Sequence, residues 1–235
     1  MNARCLLTCE HASNAVPSRY RRLFEGRRDV LETHRGYDPG TRVLGDLFQR
    51  KLRAPLHVGE ASRLLVELNR SLGHPALFSE FTRGLDPSER EAVLNRYYHS
   101  YRGQVRSRIA RWVQQRRPVV HLSLHSFTPE LQGEVRHADV GLLYDPRRVR
   151  ERDFCLHWQA LLQDAAPHLR VRRNYPYQGK ADGFTTALRR EFPEAAYAGI
   201  ELEVNQKWTR PTSAWRRLGA LLADTFAATF QELLA

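Results

Sequence analysis

Short apolar runs alternate with longer amphipathic stretches along this chain. The alternation predicts an α/β fold on a largely parallel sheet. The apolar runs predict strands over Arg4–Thr8, Leu56–Val58, Val119–Leu124, Val140–Tyr144, Leu169–Arg172 and Ala198–Val204. Leu64–Leu68 predicts another strand or a continuation of the second. Helices are expected from Pro39 to about Leu52, with Val43, Leu44, Leu47 and Phe48 on one face, and from Pro87 to about Gln115. The second carries a stripe of Leu94, Tyr97, Tyr101, Val105, Ile109 and Trp112 at helical spacing. Asp86-Pro87-Ser88-Glu89 starts it with an N-cap, a proline at the first position and a glutamate reaching back. Further helices are expected after Asp145-Pro146, after Asp182, and from about Ser213 to Leu234, where Leu218, Leu221, Leu222, Phe226 and Phe230 face the sheet.

The 235 residues fit one domain spanning 1–235, and a hydrophobic fraction of 42% supplies a sizeable core. The formal net charge is +11, almost all from arginine; only Lys51, Lys180 and Lys207 are lysines. That bias does not by itself point to nucleic acid. Cys5, Cys9 and Cys155 have no disulfide-framework spacing and no C-x-x-C pattern. The first residues hold too short an apolar run for a signal peptide, and no stretch is long enough to span a membrane. A soluble cytoplasmic protein is expected; oligomeric state cannot be read.

In open α/β sheets ligands sit outside the carboxyl ends of the strands. Three junctions there carry chemistry: Cys9-Glu10-His11-Ala12-Ser13-Asn14, Leu122-Ser123-Leu124-His125-Ser126-Phe127, and Gly199-Ile200-Glu201-Leu202-Glu203-Val204-Asn205-Gln206. Glu201 and Glu203 share a strand face, and burying them is costly unless a cation or hydrogen bonds meet them. Two histidines and a carboxylate from different strand ends can converge on one divalent ion. Such an ion lowers the pKa of water and polarises a carbonyl, while a neighbouring carboxylate moves the proton. Glu10 could be a ligand, but next to His11 on a strand it is expected to face the other way and to support the ligands from behind or serve structure. No G-x-S-x-G elbow surrounds Ser13, Ser123 or Ser126, so a serine nucleophile is not expected.

At these residues the chain resembles the N-formylglutamate amidohydrolase family. The similarity runs from about Leu6 to Gln206, through CEHASNAVP, THRGYDPGT, ASRLLVELNRS, LSLHSFTP, NYPYQGKADGFTTALRREF and GIELEVNQ in order. It implies a three-layer α/β fold, zinc-carboxypeptidase-like, with helices on both faces of a mostly parallel or mixed sheet. It also implies zinc-dependent hydrolysis of an N-formyl or N-acyl amide, in a small substrate bearing a carboxylate. By resemblance, His11, Asp38 and His125 are the metal ligands for Zn2+ or a similar divalent ion. Glu203 is the implied general base and acid, and Arg63 with the Asn69-Arg70 pair is suited to the substrate carboxylate. Two departures stand out. Ala12-Ser13 follows His11 where many members have Ser-Gly, and Gly36 stands where members active on formylglutamate tend to carry a histidine, with His34 two residues earlier.

Other readings stand beside these. From spacing alone Asp38-Pro39 is a helix N-cap, as are Asp86-Pro87 and Asp145-Pro146. Either Glu201 or Glu203 can be the proton carrier, with the other paired to Arg189 or Arg190. The Asp182-Gly183-Phe184 turn can hold an anion or be capped by Asp182. A peptidoglycan-type N-acyl amide is the alternative substrate. The series Arg102, Arg106, Arg108, Arg111, Arg116 and Arg117 raises a nucleic-acid surface, but Glu89 and Glu91 interrupt it and no aromatic-basic module accompanies it. A solvated helix face is the simpler account.

Overall fold

The computed structural model describes residues 3–234. Its strands are β1 (Arg4–Cys9), β2 (Leu56–Val58), β3 (Val119–Phe127), β4 (Glu130–Leu131), β5 (Glu134–Val135), β6 (Val140–Leu143), β7 (Val171–Arg173) and β8 (Tyr197–Asn205). Its α-helices are α1 (Arg28–Leu31), α2 (Thr41–Leu52), α3 (Pro87–Val93), α4 (Ser100–Gln114), α5 (Val149–Ala165), α6 (Phe184–Glu191) and α7 (Thr212–Leu234). Six strands form one sheet in the order β2-β1-β3-β8-β6-β7. The first four run parallel; β6 is antiparallel to β8 and carries β7 parallel to itself. The expected mixed, mostly parallel sheet is therefore present.

Period-two alternation divides the strand residues between two faces. Leu7, Cys9, Val120, Leu122, Leu124, Ile200, Leu202 and Val204 pack with Leu44 and Phe48 of α2, Trp158 and Leu162 of α5, and Leu222 and Phe226 of α7. On the other face Leu6, Val119 and Tyr197 meet Val93 of α3, Tyr101, Val105 and Ile109 of α4, and Phe184 and Leu188 of α6. Toward the strands' carboxyl ends this second face turns polar. Thr8 and Glu10, then His121, Ser123 and His125, then Glu201, Glu203 and Asn205 lie buried along it. Polar groups in such a place must be hydrogen-bonded or hold a ligand.

Four features differ from the sequence reading. Strand β3 continues to Phe127, so His125 lies inside it rather than at its end. Leu64–Leu68 is not a strand; it belongs to the irregular segment 59–86. Its five residues are all buried because the segment crosses a face of the sheet, and its backbone bonds close turns, such as Leu65 N–H to Ser62 O at 2.9 Å. A short apolar run does not distinguish that from an edge strand. The Pro87–Gln114 helix is continuous but contains a π-helical turn, Leu94–His99, which buries Tyr98 more deeply than Tyr97. The β4–β5 hairpin was not anticipated. Its two loop residues, Gln132 and Gly133, have φ of 52° and 82°, which is the positive-φ pair that a tight hairpin turn requires.

Candidate active site

Three chain segments meet above the ends of β1 and β3. Asp38 N–H donates to His11 O at 2.8 Å, Ser62 N–H to Ala15 O at 2.8 Å, and Arg63 N–H to Gly36 O at 3.2 Å. These bonds fix residues 11–15, 36–38 and 62–67 against one another. A Cβ at Gly36 would stand 2.2 Å from the carbonyl oxygen of Leu31, so the loop as folded here has no room for a side chain at this position. Asp38 does not cap α2. The N-cap is Gly40, and no side-chain oxygen accepts from the helix's first amides. The carboxylate turns inward instead.

Its Oδ2 lies 3.2 Å from His11 Nδ1 and 3.0 Å from His125 Nδ1, and all three residues are buried. One donor atom from each falls within 4.8 Å of the others, a grouping that could hold a metal ion. Tetrahedral coordination at bond lengths near 2.0–2.1 Å places donors ~3.3 Å apart, so the spacing suits such an ion. The far side of each ring is also occupied. His11 Nε2 is hydrogen-bonded to Glu67 Oε1. His125 Nε2 lies 2.8 Å from Ser123 Oγ and 3.4 Å from Glu10 Oε2, and Ser123 Oγ donates to that same carboxylate at 2.7 Å. A carboxylate behind a histidine fixes its tautomer and aims the other nitrogen's lone pair forward. Glu10 lies on the same sheet face as the site, at the back of His125, and not turned away from it.

Arg63 bridges two acids. Its Nη1 donates to Asp38 Oδ1 at 3.0 Å, its Nε to Glu67 Oε2 at 2.8 Å, and its Nη2 lies 2.6 Å from Glu67 Oε2. Asn69 Oδ1 accepts from the Phe184 amide at 2.6 Å, and Arg70 Nη1 donates to Asp182 O at 2.5 Å. Asn69 thus caps α6 from outside, and the Asp182 carboxylate accepts from Ser71 N–H at 3.0 Å. The turn, for which an anion or an Asp182 cap stood as alternatives, has its Phe184 amide taken by Asn69 instead. Glu201 accepts from Thr185 Oγ1 at 2.5 Å, while Arg189 pairs at 3.0 Å with the fully buried Glu151 rather than with Glu201. Glu203 differs from all of these: its Oε2 is buried with no hydrogen-bond partner.

The electrostatics follow from burial and proximity. Burial pushes the Glu203 carboxyl up to about 8, with Asp38 and Glu201 adding to the rise and His125 and Arg63 opposing it. Burial works against a charged His125, but the hydrogen bond and charge of Asp38, with Glu10 and Glu203, lift it to about 10. Burial also opposes ionisation of Asp38 and Glu67; His11, His125 and Arg63 overcome it for Asp38, and Arg63 and His11 for Glu67, so both stay well below the usual carboxylate range. Both acids are held as anions by these cationic neighbours, and an anionic Asp38 oxygen beside two imidazoles is a donor set of the kind a divalent zinc takes.

Sequence reasoning passed over Glu67, although a single acid inside the apolar run Leu64–Leu68 was the signal. It gave Ser123 no part beyond rejecting it as a nucleophile. A separate cavity of about 770 Å³ lies between β2 and α4, lined by His57, Tyr97, Tyr101 and Gln104, and none of the clustered acids or histidines lines it. Nor do the helix arginines form one free face. Arg102 is tucked under Phe184 at 4.2 Å and bonds Leu68 O, and Arg106 pairs with Glu191.

Residues 3–209 match the N-formylglutamate amidohydrolase family. Among solved structures, a gene product of Agrobacterium tumefaciens is 27% identical, with a TM-score of 0.84 over 99% of this chain and 92% of that one. The N-formylglutamate amidohydrolase from Ralstonia eutropha JMP134 is 17% identical, with a TM-score of 0.70 over 98% of this chain and 95% of that one, and shares the fold. No curated protein sequence matches the chain. Among the described residues no helix is long and apolar enough to cross a membrane. The family match spans nearly the whole chain and takes in every segment that builds the buried cluster: the chain is an amidohydrolase and belongs to the N-formylglutamate amidohydrolase family.

Proposed function

We propose that this chain is a zinc-type amidohydrolase that releases the acyl group from an N-formyl or N-acyl amino acid bearing a carboxylate. The observation that carries the proposal is the meeting of His11 Nδ1 and His125 Nδ1 on Asp38 Oδ2, with Glu203 beside them in the sheet. His11, Asp38 and His125 would hold the ion. A divalent ion bound there supplies Lewis acidity to the scissile carbonyl and makes water acidic enough to attack at neutral pH. Glu67 and Ser123 hold the two imidazoles in the ligating tautomer, and Arg63 holds Asp38. Glu203 takes the proton of the attacking water on its unpartnered Oε2 and delivers it to the departing amine nitrogen.

The free thiols of Cys5, Cys9 and Cys155 fit the reducing conditions of a cytoplasmic enzyme. The test is a panel of N-formyl and N-acetyl amino acids supplied to zinc-loaded protein, scored for released amine. Turnover of N-formylglutamate or a related acidic substrate, abolished in His125→Ala, is expected. Absence of turnover across the panel with zinc bound contradicts the reading.

A further inference from the structure

We propose that Arg136, held by Tyr177 and Phe127 one rung beyond the cluster, is the group that recognises the substrate's carboxylate. The inference rests on the amidohydrolase reading above and adds to it a specificity-determining residue.

The placement comes from the register of the sheet. His125 pairs with Glu203, and two residues further along the same strands Phe127 pairs with Asn205. Residues two apart share a face and stand about 6.6 Å apart along a strand. Arg136 follows the β4–β5 hairpin and is tied to that outer rung. Asn205 Nδ2 donates to its carbonyl at 3.1 Å, and its own N–H donates to Pro129 O at 2.8 Å. Its guanidinium lies 6.0 Å from the Phe127 ring centroid and 5.1 Å from that of Tyr177. The hairpin thus folds a cation back over the strand positions next to His125 and Glu203.

The partners of this cation are the telling feature. Arg136 is only 9% exposed, yet its one side-chain hydrogen bond among the described residues is from Nη1 to the Tyr177 hydroxyl at 3.0 Å, and no carboxylate pairs with it. Arginine is seldom buried without an acid. The other arginines close to the site are committed: Arg63 to Asp38 and Glu67, Arg70 to Asp182, Arg189 to Glu151. Arg136 therefore has a guanidinium with spare donors, pre-set by two aromatic rings, that matches a carboxylate in a two-pronged hydrogen bond. Tyr177 holds this cation through its hydroxyl and lies within the electrostatic reach of Glu203 and Arg63. Burial first, then the Glu203 charge, raises its hydroxyl pKa, while Arg136 and Arg63 pull it down. His34 also lies within the field of Arg63, Asp38 and Arg136.

The carboxylate can belong to the amino acid's α-position or to an acidic side chain, and the test separates them. Wild type and Arg136→Met, both zinc-loaded, are assayed on N-formyl-L-glutamate, N-formyl-L-glutamine and the α-amide of N-formyl-L-glutamate. Loss of a charge-assisted pair is expected to lower kcat/KM about 10- to 100-fold, mainly through KM, on substrates that keep the recognised carboxylate. The substrate without it is expected to lose at least tenfold less. A selective loss on N-formylglutamine assigns the α-carboxylate; a selective loss on the α-amide assigns the side chain. Equal losses on all three overturn the proposal and leave the amidohydrolase reading standing. Titration calorimetry with glutarate covers the case in which none of the three turns over. Binding at least tenfold weaker in Arg136→Met supports the proposal, and equal binding overturns it. Thermal melting guards against a purely structural role: replacing an unpaired buried cation with methionine is expected to hold or raise Tm, and a Tm lowered together with a uniform loss of activity refutes the assignment.

Discussion

His125 and Glu203 are register partners on β3 and β8 and lie on the same face of the sheet. Neighbouring strands are about 4.8 Å apart, so the paired backbones alone bring an imidazole and a carboxylate together. Most of the cluster's precision comes from this rigid centre. The loops add His11, Asp38 and Glu67.

Glu203→Gln removes the proposed proton carrier but keeps its shape. The kcat is expected to fall about 10²- to 10⁴-fold with KM and bound zinc little changed. Glu201→Gln, whose parent side chain is held by Thr185, is expected to lose much less. Steady-state kinetics with metal analysis on both variants checks the assignment; a larger loss in the Glu201 variant reverses it.

In metal-free protein Glu203 should also be visible in stability. Its carboxyl is raised from 4.5 to about 8 in the folded chain, so folding favours the protonated form. The stabilisation is complete below about pH 4.5 and is lost as pH rises through 8. Glu203→Gln has no such loss. The melting temperature of the variant relative to wild type is expected to rise from pH 5 to pH 9, and a flat difference would show that the group is not displaced.

Glu67 supports His11 from behind without being one of the three converging donors. Glu67→Gln is expected to weaken zinc about 10- to 100-fold while leaving turnover at saturating zinc within a few-fold. Competition with a chromogenic chelator measures this directly. Unchanged affinity would remove Glu67 from the metal's support.

Away from the site, Glu151 is completely buried and serves Arg189, the Gly199 amide and the Asp145 amide. Glu151→Ala leaves a buried guanidinium unpaired and is expected to cost about 3–5 kcal/mol in denaturant unfolding. A cost under 1 kcal/mol would mean that water reaches Arg189.

The central fold was legible because its strands and helices have different hydrophobic periods. Arg4–Thr8, Val119–Leu124 and Ala198–Val204 announced themselves as apolar runs leading into polar residues, and each observed strand runs at least one residue further. His11, Asp38, His125 and Glu203 stand together in space, although in the sequence only resemblance linked Asp38 to the histidines. What was not legible lies in irregular backbone. Leu64–Leu68 is buried as turns, and Glu67 within it shows its partner only after the chain folds back on His11. Arg136 is one arginine among many, and only the tight turn at Gln132-Gly133 brings it back against Phe127 and Asn205. Charge type and spacing carry no record of such returns.

The most direct measurement is zinc content after equilibrium dialysis of wild type and of His11→Ala, Asp38→Ala and His125→Ala, with folding verified by circular dichroism. One ion per chain in the wild type and a drop to trace levels in each variant is the predicted result. A wild type that retains no ion, or folded variants that retain as much as the wild type, would contradict it.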